Sequence, residues 1–464
     1  MMWYWYFMKI KKLHLENIGV FDSLDLEFLT CKQPDKKAEI HIFTGTNGSG
    51  KSTLLYALAG ALVWPFRQTE HLIWQRFHHS NPNAFVEVLF EGKQVINYAI
   101  KKLPKRSYFT HKPLITEKAF SDRHLRHAYA NSNSNQQSVD DFINDFLRGG
   151  ANDTNEEGEH QGSSFAAFAY SGNRSLNSLD ELTIEELNWD PLDNSLSFLE
   201  TTDSRQIIQS IATQKMKQVI ELSQNNPRQA EQYNVVIQQI EKAIQEIVGW
   251  EVKFKLEAKP FNLFLEIERK VLEFDVLPDG LKSIISLLAD LIRRLDKIVW
   301  LDEVHVLERH FLLFLDEIDI HLHPAWQRKI LPVIQKIFPN AQIFVSTHSP
   351  FVVGSVSDAY VYSFKLEENG VSILDKVEES QAGNSYSLIL EDVFGVKETF
   401  DEETETQFIQ FYQLRDEIMH GDDKKITDWL QLARLLMEKG IEVADIVGME
   451  LRQMSRILNK DLSV

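Results

Sequence analysis

Cysteine is almost missing from this chain, which carries one, Cys31, in 464 residues. A single thiol excludes an internal disulfide framework and any zinc site built on several cysteines. It points to a reducing, cytoplasmic setting. Long apolar runs are missing too: no stretch of about 18 apolar residues occurs, so no membrane-spanning helix is expected. Positive charge is in deficit, with 49 Lys and Arg against 68 Asp and Glu and a formal net charge of −19. That balance argues against a protein that coats nucleic acid by bulk charge, and leaves room for a local basic patch. Apolar residues at 43% exclude wholesale disorder. At roughly 100–200 residues per domain, the length allows about two to four domains.

The opening Met1-Met2-Trp3-Tyr4-Trp5-Tyr6-Phe7-Met8 is apolar but short. With no basic leader and no small-residue cleavage site it makes a poor signal peptide. An extra strand, an exposed tail and a true start at Met8 stay open as readings. From residue 9, near period-two spacing around Asn17-Ile18-Gly19 predicts two short strands and a turn. Residues 39–44 predict another strand, which runs into a Gly-rich loop and then a helical pattern at Leu54, Leu55, Leu58 and Leu62. Strand character returns over 84–102, and 131–162 reads as a long polar loop. Ile207, Ile208, Ile211 and then Val236, Ile237, Ile240, Ile244 predict a helical hairpin broken at Asn225-Asn226-Pro227. Short strands are expected at 252–256, 263–265 and 272–274, and mostly helix from about Ser387 onward.

Gly45-Thr46-Asn47-Gly48-Ser49-Gly50-Lys51-Ser52, followed by Thr53, is a full phosphate-binding loop between a predicted strand and a predicted helix. The glycines let backbone N–H groups wrap phosphates, and the helix N-terminus adds its positive end. Lys51 would reach the β- and γ-phosphates and Ser52 would ligate Mg²⁺. Phe311-Leu312-Leu313-Phe314-Leu315-Asp316-Glu317 is a buried strand delivering two carboxylates. Asp316 would hold the metal shell and Glu317 would polarise the attacking water. Leu301-Asp302-Glu303 has a similar shape, but the spacing from Leu281 places it at the end of an amphipathic helix. After the strand at 342–345, His348 is placed to hydrogen-bond a γ-phosphate. His321 and His323 are two apart and make a poor metal pair; capping a turn before Pro324 suits them better.

Taken together these motifs resemble an ATP-binding-cassette head of the SMC/RecF/OLD type, over about residues 9–100 and 250–365. The resemblance implies an α/β P-loop NTPase of ABC-ATPase head type, with a helical insertion and a mostly helical C-terminal extension. It divides the chain into a first head lobe (1–105), an insertion (106–250), a second head lobe (251–380) and a C-terminal partner or oligomerisation region (381–464). It further implies a homodimer, or a higher oligomer of dimers, closing around two ATP and Mg²⁺. A signature loop from the second copy would complete each site. Here that loop matches Leu277-Pro278-Asp279-Gly280-Leu281-Lys282-Ser283. Pro278 stands where the family has a serine and supplies neither hydroxyl nor N–H, so contact would fall to Gly280 and Ser283. The simpler reading is an Asp-Gly turn at a helix start. Ala169-Tyr170-Ser171-Gly172-Asn173-Arg174 matches the glutamine-loop junction only loosely, with Arg174 a candidate phosphate sensor.

The chain is most similar to bacterial defence ATPases of the Septu (PtuA-like) type, which implies a nucleotide-gated regulator working with a separate HNH nuclease against phage. An OLD-type nuclease, a RecF-type repair head and a transporter ATPase are the competing classes. The first would need a metal-binding domain after the head that the C-terminal acids do not spell out. The segment 101–127 holds eight Lys and Arg against Glu117 and Asp122. It reads either as a nucleic-acid backbone track or as a solvated rim. In the C-terminal region, Phe408, Phe411, Leu414 and Trp429, Leu432, Leu436 recur at helical spacing and must be buried, against the chain's own head or against a partner.

Overall fold

The computed structural model describes residues 9–32, 36–60, 62, 83–91, 95–103, 106–109, 114–116, 165–179, 182, 189–198, 202–259, 261–300, 303–380 and 382–462, with side chains left aside at 83–85 and over 95–116. Met1–Met8, Asp302, the expected loop at 131–162 and all of 117–127 lie outside the described residues. The same holds for the side chains of the basic segment before residue 117.

The chain opens with β1 (Ile10–Ile18) and β2 (Phe21–Glu27), antiparallel, with Ile18 paired to Phe21. Asn17 and Gly19 turn the hairpin at φ 56° and 60°, where glycine and asparagine are best tolerated. β3 (Glu39–Gly45) leads through the loop into α1 (Lys51–Gly60). β4 (Asn83–Phe90), β5 (Val95–Leu103), β6 (Arg106–Phe109) and β7 (Leu114–Thr116) follow. Their sheet has the order β2-β1-β4-β5-β6, with β7 paired to β5.

The second sheet positions the chemistry. It takes β8 (Ala166–Tyr170), β12 (Phe311–Leu315), β13 (Gln342–Ser346), β14 (Tyr360–Leu366) and β15 (Ser372–Glu379), in the order β15-β14-β3-β13-β12-β8. All neighbours are parallel except β14 and β15. Every residue of β8, β12 and β13 is buried. Parallel strands covered on both faces need such unbroken apolar runs, which is why Phe-Leu-Leu-Phe-Leu reads so clearly. Leu13, Leu15 and Leu24 of the antiparallel sheet, Leu54, Leu55 and Leu58 of α1, and Phe314, Phe344 and Tyr362 of the parallel sheet share one apolar core.

Between β8 and β12 lie the helical hairpin α2 (Ser204–Ser223) and α3 (Pro227–Val248) and the small sheet β9 (Val252–Ala258), β10 (Phe261–Ile267), β11 (Lys270–Leu272). Then comes α4 (Asp279–Lys297). The expected strand at 272–274 sits slightly earlier, because Phe274 begins a 3-10 turn. α4 stops at Lys297 and Glu303 lies beyond it in an exposed irregular segment, so the decoy carboxylate sits past the helix rather than at its end. α5 (Pro324–Ile337) separates β12 from β13, and the short α6 (Pro350–Val353) follows β13.

Two compact units divide the chain, Met1–Ile389 and Leu390–Val464. α7 (Tyr386–Phe394) precedes α8 (Glu402–Met419), α9 (Ile426–Met437) and α10 (Ile441–Leu458). The last three build their own core: Phe408, Phe411, Trp429, Leu432 and Leu436 pack with Val447 and Leu451. Trp429 stacks on Phe411 at 5.0 Å and donates its indole N–H to the Phe411 carbonyl at 3.0 Å. The helical stripes are therefore buried largely against each other, an outcome that neither the head nor the partner alternative anticipated.

Candidate nucleotide site

Parallel pairing brings the C-terminal ends of four strands to one edge. Ser346 of β13 is in register with Phe43 of β3, and Leu315 of β12 with both Val345 of β13 and Tyr170 of β8. The phosphate loop, the acid pair, Thr347-His348 and the 171–174 segment thus leave the sheet side by side, where ligands of open α/β sheets bind.

The loop has the shape of a phosphate cradle. Gly45, Gly48 and Gly50 take φ values of 141°, 83° and 90°. A methyl on Gly50 would stand 2.5 Å from the Phe21 ring, whereas nothing lies within 4 Å of the same point on Gly48. The loop is therefore pressed against β2 at one glycine and open at its crest. Ser49 Oγ is buried with no hydrogen-bond partner. Lys51 Nζ donates to the carbonyls of Gly45 (3.0 Å) and Thr46 (2.9 Å). Burial lowers Lys51 to about 8, against the pull of Asp316, Glu317 and Asp319. A cation held in a polar but desolvated loop is suited to receive anionic oxygens.

Asn47, Gly48, Gly50, Lys51, Ser52 and Thr53 line one cavity of about 440 Å³ together with Glu317, His348, Gly19 and Val20. Asp316 is 6% exposed and accepts the Ser346 hydroxyl at 2.5 Å. Ser346 Oγ in turn accepts the Glu317 N–H at 2.7 Å, so Ser346 fixes both acids. Glu317 sits at φ 49°. Asp319 accepts the Thr347 hydroxyl at 2.5 Å and the His348 N–H at 3.4 Å. Gln327 of α5 donates to the carbonyls of Asp319 and Leu322 and accepts the Ser349 hydroxyl at 2.6 Å. Partial burial, and then Lys51, lower the His348 ring from its ordinary 6.5, against Asp319 and Asp316. Burial thus favours the neutral ring, which has one N–H to donate. His323 accepts the Ala325 N–H at 3.2 Å as the N-cap of α5, the capping role expected for it.

Two expectations change. Ser283 is turned inward: it is fully buried and accepts Arg174 Nε at 3.2 Å. Arg174, expected as a phosphate sensor, is 3% exposed and also donates Nη1 to the Ser171 carbonyl at 2.7 Å. Burial lowers its guanidinium to about 10, against Tyr170 and Asp319. Neither lines the nucleotide cavity. Gly280 sits apart from that cavity, at the start of α4, in a separate cleft with Pro278, Asp279, His321, Trp250 and Trp326. A methyl on Gly280 would stand 2.4 Å from the His321 carbonyl oxygen. Ser346, Asp319 and Gln327 carry no motif signature of their own in the sequence. Their signal was proximity to the two motif ends, and which hydroxyl or amide turns inward is decided by strand register.

Phosphate loop, acid pair and trailing histidine on one parallel sheet edge define an ABC-type P-loop ATPase head. The chain belongs to the family described as "AAA domain, putative AbiEii toxin, Type IV TA system", whose model matches residues 40–354. It is 32% identical to "Retron Ec83 probable ATPase" of Escherichia coli over 38% of this chain and 31% of that protein. It is 29% identical to "Septu protein PtuA" of Bacillus thuringiensis over 36% and 46%, respectively. "Retron Vc95 probable ATPase" of Vibrio cholerae serotype O1 biovar El Tor matches at 25% over 76% and 75%. The chain thus spans less than half the length of the first two relatives. Among the described residues, no helix is long and apolar enough to cross a membrane.

Proposed function

We propose that this chain binds and hydrolyses ATP with Mg²⁺ and uses the cycle to regulate a partner nuclease of the HNH class in defence against phage. The hydrolytic part is carried by the single cavity that Lys51, Ser52, Glu317 and His348 share. Bound MgATP would supply the anhydride bond and, through the ion, neutralisation of phosphate charge. Backbone N–H groups of Gly45 to Thr53 hold the phosphates, Lys51 Nζ binds the β- and γ-oxygens, and Ser52 Oγ with Asp316 holds the ion. Glu317 orients water and takes its proton, and His348 donates a ring N–H to the γ-phosphate.

The regulatory part is supported by similarity to the Septu and retron proteins. We place Gly280 and the first turn of α4 at the nucleotide of a second copy in a homodimer or an oligomer of dimers, without Ser283. α4 starts after Pro278 with no side-chain cap, and the Leu281 and Lys282 N–H groups already donate to the Pro278 carbonyl, so the Asp279 and Gly280 N–H groups are the ones this proposal offers to an anion. By its sequence charge, the segment 101–127 would be the part that meets nucleic acid in this proposal, and the cytoplasm its setting. The test pairs ATP hydrolysis by wild type and Glu317→Gln with co-purification of the neighbouring gene product and a nuclease assay on the pair. Hydrolysis that needs Glu317, together with nuclease activity only in the pair, is the expected result. Cutting by the lone chain would overturn the division of labour.

A further inference from the structure

Arg174 is a buried arginine held by two neighbours, with its third guanidinium nitrogen, Nη2, lacking any hydrogen-bond partner. Burying a guanidinium costs stability unless its contacts compensate, so what it ties together matters. Ser283 lies in the second turn of α4. Seven residues on, and so on the same face, Asp290 is fully buried and accepts the Tyr170 hydroxyl at 3.0 Å. Arg293 and Arg294 hold the same carboxylate at 2.5 and 2.7 Å. α4 therefore grips the end of β8 at two points, Tyr170 to Asp290 and Arg174 to Ser283.

The stretch between those points presses on the acid turn. A methyl on Gly172 would stand 2.5 Å from the Glu317 carbonyl oxygen and 3.0 Å from its Cβ. Asp316 N–H donates to the Tyr170 carbonyl at 2.8 Å. On the other side, Gly280 packs as closely on His321. The turn 316–321 is thus bounded by α4 directly at one end and by the 170–174 stretch at the other.

We propose that Arg174 is a positioning residue: by tying the 171–174 segment to α4, it makes the setting of Glu317 depend on where α4 begins. This rests on the ATPase reading for its catalytic consequence. Any event at the start of α4, including the approach of a second copy, would then reach the hydrolytic carboxylate through backbone contact.

The experiment compares wild type, Arg174→Met, Arg174→Lys, Ser283→Ala and the Arg174→Met/Ser283→Ala double variant in full-length protein. For Arg174→Met, kcat should fall about tenfold while ATP affinity stays within about threefold, because the side chain is buried and does not line the cavity. Arg174→Lys should recover part of kcat, and Ser283→Ala should lose a smaller part. The double variant should be no slower than Arg174→Met, since both remove one link. Additive losses in kcat would overturn the proposal. Amide hydrogen exchange over 316–321, read without nucleotide, should speed up in Ser283→Ala. Exchange identical to wild type overturns the coupling whatever the ATPase assay gives, and the Ser283→Ala and Arg174→Lys arms stand if Arg174→Met does not fold.

Discussion

Lys51 donates its ammonium to the carbonyl oxygen of Gly45 at 3.0 Å, so the lysine closes the loop that it belongs to. Burial has brought this group to about 8. Contact with phosphate favours the charged form, so binding needs the proton that Lys51 loses above that value. ATP affinity should be flat from pH 7 to about 8 and fall about tenfold per unit above it. Lys51→Ala should weaken binding and remove this slope. A titration across pH 7 to about 9.5 checks both, and a flat wild-type profile would contradict the assignment.

Glu317→Gln should keep ATP binding and lose hydrolysis by about 10²-fold or more, since an amide accepts no proton from water. Glu303→Gln, exposed and beyond α4, should hydrolyse as wild type. Single-turnover phosphate release distinguishes them, and swapped phenotypes would sink the choice of acid pair.

Ser346→Ala removes the hydroxyl that meets both Asp316 and the Glu317 N–H. With the N–H left buried, the loss is on the order of 1–3 kcal/mol. We expect kcat to fall more than ATP affinity, with a lower unfolding midpoint measured by calorimetry.

Gly280 leaves no room for a side chain beside His321. Gly280→Ala should therefore lose hydrolysis with ATP affinity kept, and even this methyl must shift the 321 backbone. If sites are shared between copies, mixing Gly280→Ala with Lys51→Ala puts both lesions in one site and leaves the other with Lys51 and Gly280 intact beside the shifted 321 turn. Hydrolysis above that of either variant alone should return on mixing; heterodimers that gain none would argue against sharing.

Trp429→Ala should destabilise the C-terminal unit by about 3–5 kcal/mol, the usual loss for a buried aromatic, and leave ATP affinity unchanged. Asp423 pairs with Lys460 at 2.7 Å, both largely exposed, so Asp423→Lys should cost under about 1 kcal/mol. If the acidic surface there meets the proposed nuclease, pull-down of that partner should weaken. Full retention would remove Asp423 from the contact.

What the sequence revealed follows from burial and from backbone demands. β12 and β13 are covered on both faces and so are unbroken apolar runs; Gly48 and Gly50 stand where backbone geometry requires them. β8 is equally buried, yet Ala166-Ala167-Phe168-Ala169 carries little strand signal because alanine does not favour strands. β14 and β15, which complete the sheet, were not anticipated. Ser283 reads from sequence as a free hydroxyl at a helix start, and only the packing of α4 turns it inward to Arg174. The C-terminal stripes were legible as apolar faces, but periodicity names no partner, and here the partners are each other.

Glu317 holds a left-handed backbone at φ 49°, a conformation that glycine adopts freely and glutamate does not. The residue best suited to the fold at this position is therefore not the one the chemistry needs. Glu317→Gly would relieve on the order of 1 kcal/mol of strain, though the greater conformational entropy of the unfolded chain with glycine offsets part of it. Selection for thermal robustness alone would thus pull this position toward a sturdier protein that has fallen silent.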